Sequence, residues 1–260
     1  MQRNFYLNSF LVLFIALFIT GCSDNSTDMT TGDPNDAAYI AAREDADSTL
    51  SELTQDEGED AGWLDFTIAR IADNDTLGYD STTGWHFLVY DDTIFFYLQL
   101  EVTDSARFTD LGDAYQQFPD STTNQFERRM MKTFTLAIED TSWTKYRHRN
   151  MHWIGLADSV TTVNGDFLRH WQGDRGVHHF DRVVDGEFQD VQFYTNDLRD
   201  GLPTHPFDGT MISSVTLDIE APNGTVHLEG SLTVTFFFDH YHAYLVRGSN
   251  YWEWDHYYEQ

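Results

Sequence analysis

One cysteine, Cys22, two lysines, Lys132 and Lys145, and a single short apolar run are the first things to notice in these 260 residues. A lone thiol excludes a disulfide framework and any thiolate metal cluster. Nucleophile and phosphate motifs are absent as well: there is no Gly-x-Ser-x-Gly, no His-Glu-x-x-His and no phosphate-binding glycine loop. Positive charge is scarce, with 15 Lys and Arg against 43 Asp and Glu, a formal net charge of −28. Such a field repels nucleic acid and anionic lipid surfaces, so a DNA or RNA partner is excluded on electrostatics, and it favours solubility at high salt or the binding of cations.

What is present begins with the first 22 residues. Arg3 supplies a short positive segment, Phe10–Ile19 an uncharged apolar stretch, and Ile19-Thr20-Gly21-Cys22 a small-residue ending before a polar tract. An apolar core this short reads as a cleaved signal rather than a spanning helix. Ile19, Thr20, Gly21 and Cys22 also resemble the lipobox of bacterial lipoproteins. That resemblance implies cleavage after residue 21 and acylation of Cys22, a covalent lipid that serves as the anchor. Two or three acyl chains, each buried methylene adding roughly 0.8 kcal/mol, exceed what stable anchoring needs. Ser23, where an aspartate would retain an enteric lipoprotein in the inner membrane, implies the outer membrane.

Loss of residues 1–21 removes Arg3 and no acid, which makes the mature charge −29. Residues 22–60 then hold 12 acidic residues against the single base Arg43. That composition buries too little apolar surface to offset its ordering entropy, so the stretch is read as a disordered acidic tether. Ala37 to Leu53, alanine-rich and free of proline, predicts at best a marginal short helix.

Residues 61–260 have the texture of one antiparallel β domain. Ile94, Phe96, Leu98, Leu100 and Val102 alternate with polar and aromatic neighbours, as do Phe134, Leu136 and Ile138, and Val215, Leu217 and Ile219. Period-two patterning is the mark of half-buried strands. Roughly ten to thirteen strands joined by short turns predict an all-β sandwich or an up-and-down barrel, with sequential hairpins favouring a meander. Asn223-Gly224 predicts a hairpin that sets Ile219 against Leu228 and Val215 against Leu232. Asp91-Asp92 predicts another, with Val89 against Ile94. Asn164-Gly165 and Asp185-Gly186 are two further turn candidates. Leu111 to Asn124, with Pro119, reads as a polar loop.

Candidate chemistry is sparse. His240 and His242 share a strand face about 7 Å apart, a spacing that suits two imidazole ligands, and Asp255 and His256 lie near enough in sequence to complete a divalent-cation set. Asp73, Asp75 and Asp80 offer hard oxygen donors around Gly78 for a calcium loop, although Leu77 breaks the EF-hand pattern. His148 and His152 share a face beside Arg147 and Arg149, whose charge opposes a metal but suits a carboxylate or sulfate. A basic strip in so acidic a chain is expected to pair internally with carboxylates. The hairpin expected around Asp91-Asp92, crowded with Phe87, Tyr90, Phe95, Phe96 and Tyr97, is apolar on both sides, which fits a covered sheet, a barrel lined for an apolar ligand, or a partner-binding patch. The functional expectation is a lipid-anchored cell-envelope protein serving as a non-catalytic binding or structural module, its partner an envelope protein. A carrier of a small apolar ligand or lipid, and a metal-dependent enzyme, are the alternatives.

Overall fold

The computed structural model describes residues 39, 40, 43, 46, 78–95, 97–199, 205–222 and 224–258. Twelve strands follow one another: β1 (Gly78–Asp80), β2 (Trp85–Phe95), β3 (Leu98–Asp110), β4 (Tyr115–Gln116), β5 (Thr123–Ile138), β6 (Thr141–Ile154), β7 (Val160–Arg175), β8 (His178–Tyr194), β9 (Asp208–Ala221), β10 (Gly224–Phe236), β11 (His240–Arg247) and β12 (Asn250–Tyr257). All pair antiparallel in a single sheet, in chain order except that β4 adds only to β3 and β5 takes the next place. The all-β antiparallel meander expected from the alternation is what forms. Among the described residues no pairing joins β12 back to β1, so the sheet is not closed into a barrel.

One face carries the core. Phe108 and Phe126 are stacked at 5.0 Å beside Trp153. Val163, Phe188, Val191, Phe193, Met211, Val234, Ala243, Trp252 and Trp254 continue the apolar layer across the later strands. Each lies at the alternate position of its strand that the cross-strand register assigns to this side. Phe134, Leu136 and Ile138, and Val215, Leu217 and Ile219, lie on it too, so the parity read from their alternation is the parity they adopt.

Four residues of the acidic N-terminal stretch are described, within the segment where a short helix was expected, and two of them join this core. Tyr39, Ile40, Arg43 and Ala46 are helical. Tyr39 and Ala46 are only 4% and 3% exposed, with Tyr39 stacked on Trp252 at 5.9 Å and edge-on to Trp254 at 5.4 Å. Two side chains on one face of a short helix suffice because the tryptophans supply the apolar area it lacks. Trp63, Cys22 and the lipobox lie outside the described residues.

Three of the four expected turns fall elsewhere. Strand β2 runs straight through Asp91 and Asp92, and the reversal lies between Phe95 and Leu98, so Val89 opposes Thr103 instead of Ile94. Two aspartates supply no glycine for the positive φ of a tight hairpin, and an extended strand suits them equally. Asn164-Gly165 makes a bulge inside β7: Asn164 Oδ1 accepts the Asp190 N–H at 2.8 Å, and Asp190 takes φ 51°. Asp185-Gly186 sits within β8, where a Cβ on Gly186 would come 2.5 Å from Cζ of Phe167. The glycine makes room for that ring. The fourth turn is real but displaced: Ala221 pairs with Gly224, so Ile219 meets Val226 and Leu217 meets Leu228. A two-residue slip preserves parity, which is why the apolar faces still match.

Candidate functional site

The register sorts the charges by face. Along β6, Lys145, Arg147 and Arg149 stand at alternate positions and therefore point to the core side, while His148 and His152 point to the other. Across the strands, Lys132 of β5, Arg147 of β6 and Arg169 of β7 are directly opposite one another and continue to Val184 of β8. The neighbouring row runs Phe134, Lys145, Trp171, Arg182, and the row on the other side runs Met130, Arg149, Phe167, Gly186. Arg128 stands two positions before Met130 and takes Asp104 in a bidentate pair, with Nη2 to Oδ2 at 2.7 Å. Arg128, Lys132, Lys145, Arg147, Arg149, Arg169 and Arg182 are seven of the 15 basic residues, and both lysines of the chain are among them.

Aromatic rings are interleaved with these cations. Lys132 Nζ lies 4.9 Å from the Phe134 ring centroid, and the Arg169 guanidinium 5.4 Å from that of Phe167. Trp171 meets Phe180 edge-on at 5.1 Å, and its buried indole N–H has no hydrogen-bond partner among the described residues. The cluster is partly withdrawn from water. Arg147 is 8% exposed, and burial together with the neighbouring Arg169 holds the Arg149 guanidinium down to about 10. It remains charged at neutral pH. Directly opposed like charges on a sheet repel one another, and each cation of this cluster also interacts with other groups of the chain. Its chemistry is that of an anion site lined by rings: charge-assisted hydrogen bonds for carboxylate, phosphate or sulfate oxygens, flanked by apolar surface.

The opposite face is acidic and rich in histidine–carboxylate pairs. His170 meets Asp181 at 2.9 Å, His179 meets Asp174 at 2.9 Å, and His227 meets Asp218 at 2.6 Å. His148 stands 3.8 Å from Asp166, and His152 Nε2 is 3.1 Å from Gln125 Oε1. The arginines expected to flank His148 and His152 thus lie on the other side of the sheet, and His148 faces the Asp166 carboxylate and His152 the Gln125 amide instead.

The expected metal set is divided in the same way. His240, His242 and Asp255 do share the outer face, but His256 pairs with Tyr241 and stacks on it at 5.0 Å on the core side. His242 Nδ1 bonds Asp255 at 2.8 Å, and His240 Nδ1 bonds Asp239 at 2.7 Å. The His240 ring is stacked between Phe237 at 4.8 Å and Tyr257 at 5.1 Å. Among the described residues no three His, Cys, Asp or Glu side chains converge as a metal site. The alternation of side chains along an extended strand explains the division, because Asp255 and His256, adjacent on β12, necessarily face opposite ways. Of the calcium-loop candidates, Asp73 and Asp75 lie outside the described residues. Asp80 is an exposed turn cap, accepting the Thr82 N–H at 2.9 Å and the Thr83 hydroxyl at 2.8 Å, contacts that lower its pKa.

The basic face was only half visible in the sequence. The signal that finds it is the i, i+2, i+4 spacing of Lys145, Arg147 and Arg149, which places three cations on one side of any strand. Lys132, Arg169 and Arg182 join them only through pairing register. Comparison with known proteins finds no matching family model, no similar curated protein and no similar solved structure.

Proposed function

We propose that the protein is a lipid-anchored envelope module, non-catalytic, that binds an anionic partner on its basic, aromatic-lined sheet face. The observation that carries this reading is the run Lys132–Arg147–Arg169, three cations directly opposed across β5, β6 and β7 in a chain of net charge −28. Each of the three also interacts with other groups of the chain, and an anionic group would join this cluster through charge-assisted hydrogen bonds. Cationic and aromatic rows side by side suit a ligand whose anionic group is attached to apolar surface. The anchor is supported by Ile19-Thr20-Gly21-Cys22, and Ser23 supports the outer membrane. The carrier reading differs in needing apolar surface alone.

Two probes of equal chain length separate these readings. Laurate joins a carboxylate to an apolar tail, and dodecanol has the same tail without charge. Laurate alone should bind the processed protein, followed by calorimetry and by tryptophan fluorescence. Lys132→Gln together with Arg169→Gln should weaken it by about tenfold or more, the scale of losing charge-assisted contacts. Equal binding of both probes would make the protein an apolar carrier, and binding of neither would refute both readings.

A further inference from the structure

Strand β6 divides the outer face of the sheet into two unlike halves. Its residues on this side, among them Tyr146, His148, Asn150 and His152, include no acid, lysine or arginine. Of the strands with three or more neighbours on each side, β5 to β9, it alone has an outer row without permanent charge. Toward one edge, the cross-strand row through Asn150 runs Arg129, Ser105, Phe87, and toward the other Asp166, Glu187, Ile212. The adjacent row, through His148, begins with Met131 on the first side and Leu168 on the second. Counted outward from β6, a cation thus corresponds to an acid, a hydroxyl to an acid, and an apolar group to an apolar group.

These groups are turned to solvent in a single copy. Phe87 and Met131 are each 44% exposed and Ile212 37%. Arg129 lies over the Trp85 ring at 4.6 Å and has no carboxylate partner among the described residues. Asp166, 53% exposed, meets the Asn150 amide at 3.1 Å and His148 at 3.8 Å.

We propose that this face binds a second copy of the chain about a two-fold axis running along β6. Such an axis sets each residue against the one equally far across β6 in the other copy. Arg129 then meets Asp166 twice, Ser105 meets Glu187, Phe87 meets Ile212, and Met131 meets Leu168. An axis along β5 would set Arg129 on itself, and one along β7 would set Asp166 on itself. Stacked sheets keep their strands within about 30° of each other, which preserves the register near the axis. The seven strands β2, β3 and β5 to β9, about 4.8 Å apart and each giving about eight residues of 3.4 Å, cover roughly 900 Å² per copy. A stable interface of standard size takes about 800 Å² from each partner. The basic face lies on the opposite side of the sheet, so this inference does not depend on its anion.

Asn150 lies on the axis, so its two copies face each other across the roughly 10 Å between stacked sheets. In the full chain, a short bismaleimide should join Asn150→Cys to its counterpart, above the background that the parent gives through Cys22. Ser231→Cys, on the same face of β10, lies four strands from the axis, which puts its two copies about 40 Å apart. It should give background only. No dimer from Asn150→Cys, or equal dimer from both variants, overturns the proposal. Charge exchange is the second test. In the Asn150→Cys chain, Arg129→Asp or Asp166→Arg should each reduce the dimer about tenfold, and the two together should restore it. No loss from either, or a loss that the exchange leaves unrestored, overturns the facing of Arg129 and Asp166 and the axis with it.

Discussion

On the outer face, imidazoles and carboxylates meet mostly across neighbouring strands, and their protonation sets how stability responds to pH. The side-chain hydrogen bond and charge of Asp218 raise the pKa of His227, with a smaller contribution from Glu229, and Asp174 does the same for His179. A histidine whose pKa is raised on folding contributes fully below its unfolded value of about 6.5, and the contribution fades as pH climbs through the folded value. His227→Gln should therefore lower the melting temperature slightly near pH 5.5, with the difference from the parent vanishing toward pH 8.5. Both side chains are exposed, so the effect is small and should shrink in 1 M salt. A difference that grows with pH would contradict the pairing. At this scale the sequence showed the histidines but not their partners. Asp218 and His227 are nine residues apart and become neighbours only through the β9–β10 register.

Each glycine-containing dipeptide of the strands was a turn signal locally, and the elements used them in three different ways. Pro222 and position 223 make the connection between β9 and β10, with Gly224 opening β10 at φ 140°. Asn164-Gly165 supplies a bulge, and Gly186 a seat for the Phe167 ring. Gly224 uses the positive φ that glycine allows, Gly165 and Gly186 the missing Cβ, and both freedoms belong to any glycine, so local chemistry does not choose among them. At Gly224 nothing lies within 4 Å of a built Cβ, and the backbone angle alone forbids other residues. Gly224→Val should destabilise the protein by about 1–3 kcal/mol through backbone strain, with no steric component. Urea unfolding measures it, and an unchanged midpoint would show that the β9–β10 connection relaxes to ordinary φ. Strand parity was the more robust reading. Alternation placed Phe134, Leu136, Val215 and Leu217 on their correct side even where the partner was two residues off, because an even slip leaves every side chain on the same face.

For the whole molecule, the lipobox resemblance leads to one further expectation. Cys22→Ala should abolish palmitate labelling and leave the protein unprocessed or released in soluble form. Membrane association that survives both the substitution and a high-salt wash would remove the lipid as anchor. Bulk charge, by contrast, misled at this scale. A net charge of −28 describes the average field and conceals that nine cations, Arg175 and Arg247 with the seven above, share one sheet face while most of the strand acids share the other. By itself the sequence determined the strand-rich architecture, the side taken by Phe134, Leu136, Val215 and Leu217, and the alignment of three cations on β6, because a period of two is a property of the extended backbone; it did not place Val89, expected beside Ile94 and found on the outer face opposite Thr103. Tertiary structure alone decided that Lys132, Arg147 and Arg169 align, that His256 parts from His242, and that Tyr39 reaches Trp252. Each of these depends on which strand lies beside which and in what register, and those are set by packing between residues far apart in the chain.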